Sequence, residues 1–106
     1  MNMANYIIRI LRTQIVIFLS WGPSCLIEIE NGLVFNVNGF LHQGKVEITY
    51  NTGWDLFDVR LINKDGTVKQ TIEGIYADGL VSTIDMVVEK TEHYKERVIK
   101  EYSIKK

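Results

Sequence analysis

Residues 27–72 run through five short stretches in which apolar and polar side chains alternate, each closed by turn residues, with no room for a helix between them. Alternation with period two puts every second side chain on one face, so the region predicts an antiparallel meander with one buried face. An exposed apolar sheet face is unstable in water and has to be roofed, and the only segments left to do so lie at the two ends of the chain.

The turns predict how the strands meet, because a slip of one residue would turn a whole strand over. At Asn31-Gly32 a two-residue loop would set Glu28 against Phe35 and Glu30 against Leu33. A three-residue loop, Glu30-Asn31-Gly32 with a left-handed Gly32, instead pairs Ile29 with Leu33, Ile27 with Phe35 and Cys25 with Val37, and is the expectation. Gln43-Gly44 as a two-residue loop pairs Leu41 with Val46, Gly39 with Ile48 and Val37 with Tyr50. A loop centred on Gly53-Trp54 pairs Tyr50 with Phe57, Ile48 with Val59 and Val46 with Leu61. The turn Asn63-Lys64-Asp65-Gly66 then brings Val68, Gln70 and Ile72 onto the same apolar face.

Outside the meander the period changes. Met3, Ile7, Ile10 or Leu11, Ile15 and Phe18 step by three or four, which predicts a helix over residues 3–19, with its second half, residues 15–19, rich in β-branched side chains and also compatible with a strand. Gly22-Pro23 ends it. Leu80, Ile84, Val87 and Val88 predict a second helix capped by Asp78. Thr91 reads as the cap of a third, with Tyr94, Val98 and Tyr102 as a thin apolar stripe that docks on its own domain or on another copy. The expected architecture is α+β: a five-stranded antiparallel meander with an N-terminal helix and one or two C-terminal helices covering one face, in a single domain spanning residues 1–106.

The 12 basic and 13 acidic side chains nearly cancel, so no overall field favours nucleic acid or an acidic membrane. One cysteine, Cys25, rules out an intrachain disulfide and points to a reducing compartment, hence the cytoplasm. Residues 15–19 follow Arg9 and Arg12 somewhat as the core of an export signal would, but the run is short and lacks a small-x-small cleavage site. A membrane span needs about 20 apolar residues, and Arg9, Arg12 and Gln14 interrupt any such window.

Ser20-Trp21-Gly22, Asn31-Gly32-Leu33, Asn38-Gly39-Phe40 followed by Gly44, Asp55-Leu56-Phe57-Asp58-Val59 and residues 76–85 carry a resemblance over about the middle two-thirds of the chain. The chain resembles a group of small proteins of gut-bacterial genomes and their phages. None of these motifs carries chemistry, so the resemblance implies a phage or mobile-element context and transfers no site.

Catalysis has little to work with. The two histidines, His42 in a turn and His93 at a helix start, read as solvated loop residues without a Ser or Cys motif beside them. The eight glycines are scattered singly, so there is no phosphate loop, and no Cys or His pair has metal spacing. No catalytic residue, metal or cofactor is expected. Glu28, Glu47 and Asp58 fall on the outer sheet face with Lys45, Arg60 and Lys69, where cross-strand charge pairing accounts for them. Asp55 and Asp65 sit beside turn glycines as local hydrogen-bonding groups.

The outer face also gathers apolar residues: Leu26, Val34, Phe40, Leu56 and Ile62, with Trp54 at a turn. A contiguous cluster of such residues marks a contact surface, so Trp54, Val34, Phe40, Leu56 and Ile62 are the candidate interaction surface, with a homodimer as the leading partner. Trp21 reads as a core plug over the helix end. Trp54 could stack on a base or sugar, but Asp55 and Asp58 beside it repel phosphate, so nucleic acid ranks low. The reading is a non-enzymatic interaction or assembly module, with a small-molecule or nucleic-acid binding module as the alternative.

Overall fold

The computed structural model describes residues 2–89, and the helix expected after Thr91, with His93, lies outside them. Helices α1 (Met3–Arg12) and α2 (Ile15–Ser20) precede five strands, β1 (Ser24–Ile29), β2 (Gly32–Asn38), β3 (Gln43–Asn51), β4 (Leu56–Asn63) and β5 (Val68–Ile75). A 3-10 turn (Ala77–Gly79) leads into α3 (Leu80–Val88). The strands form one antiparallel sheet in the order β1-β2-β3-β4-β5, a simple meander. With helices before and after it, the fold is α+β.

One hydrophobic cluster lies between the sheet and the helices. It combines Leu33, Phe35, Val37, Val46, Ile48, Phe57, Val59 and Leu61 from alternate positions of β2, β3 and β4 with Ala4, Ile7 and Leu11 of α1 and Leu80, Val81, Ile84 and Val88 of α3. Burying a side chain of this kind stabilises by roughly 1.5 to 3 kcal/mol, which is the term that must offset the chain entropy. Trp21, the residue that ends α2, is wholly buried as expected. Its ring stacks on Phe35 at 6.5 Å and meets Phe18 edge-on at 5.6 Å, and Nε1 donates to Asp85 Oδ1 at 2.9 Å.

The expected N-terminal helix is broken in two. Thr13 Oγ1 donates back to Ile10 O at 2.6 Å, and the Thr13 and Gln14 amides close short turns to Ile10 and Leu11. A back-bonding Thr followed by β-branched Ile15-Val16-Ile17 is poor helix interior, so the chain turns there before α2 begins. Asp78 does not cap α3 with its side chain. The preceding 3-10 turn supplies the entry, and Gly79 occupies the cap position.

The register between β3 and β4 is the expected one, with Tyr50 opposite Phe57, Ile48 opposite Val59 and Val46 opposite Leu61. Between β2 and β3 the faces are as expected but the register is not: Val37 lies opposite Gly44, Phe35 opposite Val46 and Leu33 opposite Ile48. Phe40 and Leu41 belong to a loop, not to the strand. That loop is held to α3, with Leu41 N donating to Val88 O at 2.8 Å and Gly39 so close that a Cβ would lie 2.2 Å from the same carbonyl.

Strand β1 is turned over relative to expectation. Ile29 pairs with Gly32, Glu28 with Leu33 and Ile27 with Val34, around a turn in which Asn31, not Gly32, is left-handed at φ 54°. Glu28 therefore shares the face of the core residue Leu33, and its carboxylate accepts from Asn2 Nδ2 at 2.6 Å at the start of α1. Gly32 is needed for a different reason, since a Cβ there would sit 2.1 Å from Ile48 O. At the other edge the register shifts twice. Lys69 is the extra residue of the first shift, which leaves Val68 opposite Ile62 on the outer face and exposed; Gln70, opposite Leu61, is exposed too. At the second, left-handed Gly74 lets Ile75 return inward opposite Phe57.

Candidate functional site

The β3–β4 turn is built on Asn51. Its Oδ1 accepts from the Gly53 and Trp54 amides at 3.0 and 3.2 Å, and its carbonyl accepts from Asp55 N at 2.8 Å. Asp55 adopts φ 57°, a left-handed conformation that Asp tolerates better than most residues. The result sets Asp55 beside Tyr50, whose hydroxyl donates to Asp55 Oδ1. That hydrogen bond, with burial adding to it, pushes the Tyr50 phenol above its usual value of 10.0, so Tyr50 remains a donor at neutral pH.

Tyr50 and Asp55 border a cavity of about 510 Å³ at one end of the core-facing side of the sheet. Phe57 is buried there, with Tyr6 of α1 stacked on it at 6.2 Å and Tyr50 tilted against it at 5.3 Å. Met3 of α1 and Tyr76, Ala77 and Asp78, from the segment that joins β5 to α3, also line it. Pockets that hold small ligands fall in the range of about 300 to 1,000 Å³ and pair an apolar lining with a few polar groups, a description this cavity meets.

The surface nominated from the alternating pattern is not contiguous. Val34 neighbours Ile27 at the β1 edge, while Ile62 lies between Lys45 and Val68 at one end of the outer face. Leu56, opposite Asn51, and Trp54 lie at the other end. The Glu47–Arg60 ion pair, 3.2 Å across directly opposed residues of β3 and β4, separates them, as cross-strand charge pairing anticipates. Phe40 is off the sheet face, in the loop against α3, where its amide donates to Glu89 Oε2 at 3.3 Å. Glu28 and Lys69 are not on the outer face in the way expected either: Glu28 meets Asn2, and Lys69 Nζ donates to Leu41 O at 2.7 Å. Trp54 is 78% exposed beside Leu56, Asp58 and Glu73, and the two carboxylates make the surroundings of its ring hostile to phosphate.

His42 is not a solvated loop residue. It is 1% exposed, its Nε2 bonds the Lys45 carbonyl at 3.0 Å, and Nδ1 has no hydrogen-bond partner. A carbonyl only accepts, so the proton resides on Nε2. Burial lowers the imidazole pKa below 6.5, against the opposing pull of the Lys45 and Ile62 carbonyls. His42 and Asp55 occupy loops at opposite ends of β3, roughly 25 Å apart by strand rise, so no acid and base pair forms between them. Among the described residues no group of three or more His, Cys, Asp or Glu side chains converges on a metal site, and no helix is long and apolar enough to cross a membrane.

Two features escaped the sequence reading. The cavity draws Tyr6, Tyr50 and Tyr76 from a helix, a strand and a connecting segment, and only the β3–β4 register, which sets Tyr50 opposite Phe57, hinted at it. The second is α2, where Phe18 is buried but Val16 is 79% and Leu19 61% exposed, with Ile15 exposed beside them. Comparison with protein-family models, with curated proteins and with solved structures finds no match for the chain.

Proposed function

We propose that the chain is a non-enzymatic protein-interaction module that pairs with a second copy of itself through the apolar ridge of α2. The observation that supports this reading is the exposure of Ile15, Val16 and Leu19 on a helix with no charged residue. Large apolar side chains grouped on one short element are an interaction signal where scattered ones are not. Met86 is exposed on α3, which packs against α2 and can extend the ridge.

Pairing of sheet edges is the weaker route, because Pro23, the irregularity between Ser24 and Ile27, left-handed Cys25 and the carboxylates of Glu28 and Glu30 all blunt β1. The non-enzymatic part of the reading rests on the separation of His42 from Asp55. An exposed free thiol at Cys25 fits a reducing cytoplasm, and a phage or mobile-element setting remains the context implied by the resemblance.

Sedimentation equilibrium on the full chain tests the reading. A dimer that Val16→Glu with Leu19→Glu converts to a monomer, with unchanged far-ultraviolet circular dichroism, supports it. A wild-type monomer at about 100 μM, well above the dissociation constant of a stable dimer, overturns it.

A further inference from the structure

We propose that the tyrosine-lined cavity binds an organic ammonium cation, and a methylated ammonium head group best. The cavity brings the aromatic rings of Tyr6, Tyr50 and Tyr76, with buried Phe57 packed behind Tyr6 and Tyr50, together with the carboxylates of Asp55 and Asp78. Aromatic rings carry negative potential on their faces and attract a cation that has shed part of its water. Carboxylates nearby add the attraction of whole charges. Among the described residues no basic side chain lines the cavity.

Among the described residues the start of α1, whose first turns supply Tyr6, opposes the carboxylates. A helix N-terminus is equivalent to about half a positive charge, and the Asn2 side chain already accepts from the Asn5 amide there, so two carboxylates outweigh it.

The choice of an organic cation over a metal ion follows from the lining. Hard cations require six or more oxygen ligands, and among the described residues no group of three or more His, Cys, Asp or Glu side chains could hold one. Asp55 is also engaged by the Tyr50 hydroxyl, which anchors both groups at the cavity wall. At about 510 Å³ the space exceeds a trimethylammonium group alone, leaving room for the body that carries it. Tyr76, 70% exposed, stands at the rim.

The test is a titration of the full ¹⁵N-labelled chain, followed by amide chemical shifts, with choline and with its neutral isostere 3,3-dimethylbutan-1-ol. Choline is expected to shift the amides of Tyr6, Tyr50 and Asp78, and the isostere to bind at least about tenfold more weakly, because only the charge differs. Tyr76→Ala and Asp78→Asn replace exposed side chains, so both variants keep the fold, and each is expected to weaken choline binding by about fivefold or more. Nε-trimethyllysine amide in parallel distinguishes the sources of the head group: tighter binding than choline indicates a methylated protein side chain, and the reverse indicates a free or lipid-borne choline-type group. Equal binding of choline and the isostere overturns the proposal. So does the absence of shifts at about 50 mM choline, since a cage that weak offers no recognition. Indifference of choline binding to both substitutions also overturns it.

Discussion

Replacing Trp21 by Phe separates the two jobs the indole performs. The smaller ring leaves a gap of roughly 40 Å³, which at about 24 cal/mol per Å³ costs about 1 kcal/mol. It also removes the Nε1 donor from the carboxylate of part-buried Asp85, and a hydrogen bond to a charged group contributes about 1.5 to 3 kcal/mol. Trp21→Phe is therefore expected to destabilise by about 2.5 to 4 kcal/mol, within what a domain of this size can lose and still fold. Asp85→Asn keeps an acceptor oxygen and should cost about 1 kcal/mol or less, while Asp85→Ala strands the indole N–H and should cost about 1 to 3 kcal/mol. The assay is urea denaturation followed by circular dichroism, which does not depend on the tryptophan being replaced. Combined with Asp85→Ala, the Trp21→Phe effect should fall short of additive by about 1 kcal/mol or more, because both changes break one bond. Strict additivity, or a Trp21→Phe cost below about 1 kcal/mol, would refute the claim that this bond ties α2 to α3.

Gly32→Ala and Gly39→Ala drive a Cβ to 2.1 and 2.2 Å from backbone carbonyls, and each should cost about 2 kcal/mol or more by thermal denaturation; a loss under about 0.5 kcal/mol would contradict the close approaches. Because burial holds the folded-state pKa of His42 below 6.5, the unfolded chain takes up a proton first as pH falls. The His42 contribution is complete above pH 6.5 and declines as pH falls from there towards the folded value, and His42→Gln should flatten that part of a stability–pH curve. Glu47→Gln breaks a half-exposed ion pair and should cost about 1 kcal/mol or less by urea denaturation, with a larger loss indicating a network beyond Arg60.

The alternating pattern made the sheet legible wherever both faces of a strand have opposite tasks. β3 and β4 are such strands: Val46, Ile48, Val59 and Leu61 face the core, and Lys45, Glu47, Arg60 and Ile62 face out. Edge strands are different. Glu28 can lie on the core side of β1 because Asn2, a residue 26 positions away, meets it beyond the rim of the helical roof. No local pattern encodes that partner, and the preference for an apolar match misplaced the strand by one residue. Phe40 and Leu41 continue the alternation of β2, yet they are held by the end of α3, so their place depends on a contact that closes only in the folded chain. His42, in the same loop, is buried.

The candidate sites were less legible than the fold. Tyr6, Tyr50 and Tyr76 are unremarkable in their separate segments, and the cavity arises from where α1 begins and where the chain leaves β5. The α2 ridge was hidden differently: residues 15–19 are all apolar, so nothing local separates buried Phe18 from exposed Val16 and Leu19. The outer-face cluster, in contrast, followed from correct parity for β2 and β4 but failed on distance along the sheet, which parity does not specify.

The helices cover the side of β3 and β4 that carries Ile48 and Val59, and single-cysteine accessibility measures that directly. In a Cys25→Ser background, Ile48→Cys and Val59→Cys should resist a thiol reagent until the protein unfolds, whereas Thr49→Cys and Arg60→Cys on the opposite face should react in the native state. Rapid native-state labelling at positions 48 and 59 together with protection at 49 and 60 would contradict the arrangement of sheet and roof.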